Sequence, residues 1–222
     1  MKTYLTKILA LTSILSAFAV TAYGTTIESV PFTITTSGTY KLDGDLVLAG
    51  TNQTAITVNV SNVVIDLNGF AITTSQYPNY GIVTSSTATN VTIQNGTLSG
   101  FFNSISLAGG QALVQALRLI NDEEGIQAAS SCTSSVIQNC FIAGGAGIGV
   151  TVQGSSIVVK NNQILSEQYG GTSGGNNSFV ANYVGNCSYG LYMTGSDKYQ
   201  ANVTNECTTP FTGGIAVGDA NN

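Results

Sequence analysis

Three acidic residues give this chain its sharpest prospect of chemistry: Asp122, Glu123 and Glu167. Asp122 stands six residues after Ala116, and Glu167 stands six after Asn161. Ala116 and Asn161 occupy equivalent places in a repeat described below. The spacing therefore predicts both carboxyls at one corner, two repeat units apart, with Gly145 between them. Two rungs of about 4.8 Å separate their backbones by about 9.6 Å, and inverting glycosidases hold their carboxyls about 6.5–9.5 Å apart. Asp122 or Glu123 with Glu167 could serve acid–base hydrolysis, or hold a cation such as calcium. A solvated acidic corner is the plain alternative. No spacing marks a dedicated metal site, and nothing points to a bound cofactor.

Other chemistries fall away by composition. The chain has no His, which excludes His-based acid–base catalysis, Ser-His-Asp triads and most zinc sites. Arg118 is the only Arg, about 13 Å along an extended strand from Asp122, and reads as a solvated strand residue. Tyrosines offer a binding alternative. Tyr169 and Tyr189 sit in matching Tyr-Gly contexts one repeat apart, with Tyr192 close by. Stacked rings there could form a sugar platform, since Tyr joins an apolar face to a polar tip. They could equally be packing.

Positioning these groups falls to a repeat. Asn95, Asn139, Asn161, Asn182 and Asn202 each end a short β-favouring run. The intervals between the last four shorten by a single residue at each step, and Ala116 fills the gap between the first two. A second series runs through Gly81-Ile82, Ser104-Ile105, Gly125-Ile126, Gly147-Ile148, Gly190-Leu191 and Gly214-Ile215. A period of roughly 20–23 residues fits one coil of a β-solenoid. Equivalent residues then stack vertically, and the Asn series is expected to form a hydrogen-bonded ladder at a left-handed corner. The expected architecture is all-β: a single parallel β-helix of about seven coils over residues 51–222, with residues 25–50 as an N-terminal cap.

Residues 1–24 read as a signal peptide. Lys2 and Lys7 precede an apolar stretch from Ile8 to Val20, which is too short to span a bilayer. An exported product, periplasmic or extracellular, with no membrane span follows as an expectation. Beyond that segment four basic residues face eleven acidic ones. Nucleic acid and anionic membrane are therefore poor partners, since phosphate binding needs clustered Lys and Arg. In an exported chain, four cysteines suggest disulfides. Cys187 and Cys207 each follow an Asn by five residues, which makes them vertical neighbours and a predicted pair. A Cys132–Cys140 bond would require a bend. Free thiols buried as small apolar residues are the alternative.

The strings Pro31-Phe32-Thr33-Ile34, "NVVIDLNGFAI" at 62–72 and "NVTIQNGTLSGF" at 90–101 resemble secreted bacterial right-handed parallel β-helix repeat proteins of the pectate-lyase-like superfamily. The resemblance implies a right-handed column over about residues 30–217. It also implies what to look for in an enzyme on this fold: three aspartates with Gly-His-Gly and Arg-Ile-Lys, or calcium-binding aspartates with a catalytic Arg or Lys. None of these motifs is present. The expected function is therefore non-catalytic, a surface or extracellular module holding a polysaccharide or a surface protein. The alternatives are a divergent polysaccharide hydrolase or lyase, and a structural or adhesive module associating through an open C-terminal edge. The oligomeric state is left open.

Overall fold

A computed structural model describes residues 24–218, so the expected signal segment lies almost wholly outside the described residues. The described chain is all-β, a single right-handed parallel β-helix. Among these residues no helix is long and apolar enough to cross a membrane.

Every pairing between strands is parallel and joins one coil to the next. One sheet has nine strands, running from Phe32–Ile34 to Thr209–Thr212. The other has sixteen strands and is bent into two arms. In two coils a single long strand, Val91–Ser99 or Leu113–Ile120, serves both arms. Three walls therefore enclose the core.

Each wall contributes a vertical apolar column. Ile65, Ile93, Val114, Ile137, Val159 and Phe179 stack on one arm. Ile72, Leu98, Leu119, Ile142, Ile164 and Val184 stack on the other. Ile56, Ile82, Ile105, Ile126 and Val150 line the nine-stranded sheet. All are essentially buried. Below Val150 the column continues as Gly171, where an added Cβ would meet the Phe179 ring at 3.0 Å. The missing side chain makes room for one of the largest fully buried residues.

The coil count differs from expectation. Nine rungs are present, against about seven predicted. Residues 25–50 are built into the column: Thr25–Ile27 pairs with Gly38–Leu42, and Phe32–Ile34 heads the nine-stranded sheet. These early coils are longer. Val58 pairs with Thr84 and Asp66 with Gln94, intervals that exceed the Asn period and that the period therefore does not reveal. Two members of the second series also sit elsewhere. Ile126 pairs with Val150 rather than Ile148, and Ile215 belongs to the sixteen-stranded sheet.

The Asn series divides into two columns. Asn95, Asn139 and Asn161 hold the left-handed corner, with φ of 60°, 54° and 55°. Ala116, Ala181 and Ala201 continue it, with φ of 52°, 53° and 52°. Asn182 and Asn202 lie one residue further on, stacked beneath Asn162 rather than Asn161. There they are buried and form a true ladder. Asn182 Oδ1 accepts from the Asn162 backbone N–H and side-chain amide, both at 3.0 Å, and Asn182 Nδ2 donates to the Val159 carbonyl at 2.9 Å. Asn202 Oδ1 receives the matching pair from Asn182. The doublet Asn161-Asn162 conceals this one-residue slip.

Candidate functional site

Two neighbouring features meet on one side of the column: a buried carboxyl corner and an outward aromatic face. The corner follows the predicted register. Phe101, Asp122, Gly145, Glu167, Cys187 and Cys207 are successive members of one vertical line, fixed by the strands that precede them.

Asp122 and Glu167 are each only 5% exposed. Asp122 Oδ1 accepts from the Phe101 backbone N–H at 2.8 Å, and Glu167 Oε1 from the Gly145 N–H at 3.1 Å. Each therefore satisfies a backbone donor of the coil above, as Asn162 does for Cys140. Their second oxygens, Oδ2 and Oε2, are buried without a hydrogen-bond partner.

Burial raises the Asp122 carboxyl to about 7, opposed by the Ser104 hydroxyl and backbone N–H groups. Burial also raises Glu167 to about 7, opposed by the Gly145 N–H and reinforced by the nearby Asp122 and Glu123 carboxyls. A side chain at position 145 would collide with the Asp122 carbonyl and the Glu167 carboxyl, so glycine is required between them. Glu123 is exposed at the rim of a shallow cavity of about 240 Å³ that Tyr77, Phe101 and Gly145 also line. Among the described residues no three His, Cys, Asp or Glu side chains come together in a metal-binding group.

Cys187 and Cys207 are vertical neighbours as expected, but the disulfide is not formed, nor is one between Cys132 and Cys140. All four are free thiols. Cys132 instead faces the Ser135 hydroxyl at 3.4 Å, and Cys140 the Gln138 carbonyl at 3.3 Å. Burial pushes Cys140 and Cys187 up to about 11, which keeps both protonated and unreactive at neutral pH.

The aromatic face lies on the outside of the nine-stranded sheet. Tyr169 and Tyr189 are paired in register and their rings stack, with centroids 4.7 Å apart and planes 10° apart. Tyr192 sets its ring edge-on to both, at 6.1 and 6.4 Å. Tyr189 and Tyr192 remain 36% and 39% exposed. The three predicted tyrosines thus form one open cluster. In contrast, Tyr199 stacks on Phe211 at 5.1 Å, half-buried against the core.

Above the tyrosines the same outward line continues through Ile148, Glu124 and Asn103. A parallel line carries Thr172, Thr151, Gln127 and Ser106. Glu124, absent from the candidates that spacing suggests, is half-buried and accepts from the Gln127 amide at 3.2 Å. Burial holds its carboxyl above the usual range, opposed by Thr151 and Asn103. One signal could have found it: it directly precedes Gly125-Ile126, as Tyr80 precedes Gly81-Ile82.

Arg118 lies on another wall, its guanidinium over the Phe141 ring at 4.7 Å. It borders a groove of about 440 Å³ with Asn139, Asn161 and Gln163. Rather than simply being solvated, it is held by a cation–π contact.

No family model matches the chain, and no curated protein matches it. Among solved structures, an alginate lyase from Paenibacillus sp. str. FPU-7 is similar. Its TM-score is 0.60 at 14% identity, over 87% of this chain and 86% of that one. At such identity the likeness extends to the fold alone. The enzymatically active domain of tailspike protein 2 from bacteriophage CBA120 gives a TM-score of 0.34 at 12% identity. It covers 76% of this chain and 38% of that one, a likeness too low to support any structural comparison.

Proposed function

We propose that this protein is an exported, non-catalytic β-helix that binds a glycan along the outward face of its nine-stranded sheet. One observation carries the reading: Tyr169, Tyr189 and Tyr192 form a half-exposed aromatic cluster on a rigid parallel sheet. Rings of this kind present flat apolar surface at low entropic cost, with hydroxyls at the edge. The adjoining Thr172, Thr151 and Gln127 side chains add hydroxyl and amide groups in the spacing of the rungs. An alginate lyase of the same fold accords with a polysaccharide ligand.

A hydrolase or lyase reading has less support. Asp122 and Glu167 each use one oxygen to hold backbone, and both carboxyls are buried. That favours a structural role.

A printed array of neutral, amino and acidic oligosaccharides tests the reading. Wild type is expected to bind at least one class, and Tyr189→Ala with Tyr192→Ala to weaken it by tenfold or more with the thermal midpoint little changed. Two aromatic contacts of about 0.5–1.5 kcal/mol each support that magnitude. Undiminished binding by the double variant would refute the proposal.

A further inference from the structure

We propose that this face selects a glycan bearing free amino groups, with the Glu124 carboxylate receiving a sugar ammonium two rungs from the tyrosine cluster. The inference rests on the glycan reading above and specifies its chemical class. Glu124 is the only Asp, Glu, Lys or Arg in the nine strands of the sheet. The exposed Glu123 precedes it directly. A ligand approaching this face therefore meets negative charge and no cation, so a polyanionic chain is repelled.

Register fixes the geometry. Glu124 pairs with Ile148, and Ile148 with Tyr169. The carboxylate and the first ring thus stand about 9.6 Å apart along the column axis. A short oligosaccharide lying along that axis spans both, with one sugar ring on Tyr169 or Tyr189 and another beside Glu124.

The immediate surroundings of Glu124 supply neutral hydrogen-bond partners and no cation. Its Oε2 is engaged by Gln127, a neutral donor. Asn103, directly above and 4% exposed, keeps its Oδ1 buried with no hydrogen-bond partner. The Thr151 and Asn103 side chains also serve the Glu124 carboxylate, and like Gln127 they are neutral, so its charge has no counter-ion. An ammonium, with three donors and no acceptor, complements it. A hydroxyl would satisfy one oxygen and leave the charge uncompensated. Burial without a neighbouring cation already holds the carboxyl above its usual range, the condition that an ammonium would relieve.

The test is calorimetric titration of the full chain with three probes: a glucosamine tetramer, its N-acetylated counterpart and a galacturonate tetramer. The amine is expected to bind at least tenfold more tightly than the acetylated form, and the galacturonate most weakly. Glu124→Gln should abolish the amine preference and leave affinity for the acetylated probe within about twofold. Thr172→Lys, which puts a cation on the same face without touching Glu124, should shift preference towards galacturonate. An amine preference that survives both substitutions overturns the proposal, as does galacturonate binding best to wild type. Equal binding of all three probes, lost on Tyr189→Ala, overturns the charge selection and leaves the glycan reading standing. Binding of none of them overturns this proposal and leaves the glycan reading to the array.

Discussion

Alanine at position 182 should destabilise the column by about 2–6 kcal/mol, read as a lowered urea midpoint. Asn182 is 1% exposed and joins three coils. Its loss strands the Asn162 backbone N–H and the Val159 carbonyl in the interior, and each buried polar group without a partner costs about 1–3 kcal/mol. The exposed Asn161 is the control. Ala181 and Ala201 adopt the same left-handed conformation in the next coils, so Asn161→Ala should cost about 1 kcal/mol or less. Equal costs at the two positions would mean that the buried column is not the ladder.

Stability should fall as the solution is made more alkaline. Asp122 and Glu167 both have folded-state values of about 7, above their ordinary values of 3.8 and 4.5. The folded protein thus holds protons that the unfolded chain releases. Unfolding then releases protons between about pH 4 and 7, so stability is fully present below about pH 4 and declines towards pH 7. At about 1.4 kcal/mol per unit, Asp122 contributes up to roughly 4 kcal/mol of this decline. Glu167 contributes less, because its rise from 4.5 to about 7 is the smaller one. Asp122→Asn keeps the oxygen that accepts the Phe101 N–H and removes the titration. It should raise the thermal midpoint at pH 8 and flatten the profile between pH 4 and 8. A midpoint that climbs with pH in wild type would contradict the buried, partner-poor corner.

The period makes much of this molecule legible because a β-helix converts sequence spacing directly into height. Asp122, Gly145 and Glu167 fall on one line, as do Cys187 with Cys207 and Tyr169 with Tyr189, because counting from the preceding corner absorbs the small changes in coil length. Where the count starts from the wrong corner residue, the same reasoning slips. The coil that ends at Asn182 begins at Asn162, not Asn161, so spacing alone assigns a correct ladder motif to the wrong column. The long early coils escape a fixed period for a related reason. For sulfur, spacing gives the vertical adjacency of Cys187 and Cys207 but not their oxidation state, and the structure holds them as free thiols. Glu124 is hidden in the sequence by the more conspicuous Asp122 and Glu123 beside it. Only the strand register separates the one that faces outward beside the sheet's polar row.

Hydrogen–deuterium exchange with and without the glucosamine tetramer tests the glycan-binding face most directly. Added protection should concentrate in Glu124–Ala128, Tyr169–Gly175 and Tyr189–Gly195, the strands that carry Glu124 and the tyrosines. Protection centred instead on the Arg118 groove, or none anywhere, would contradict it.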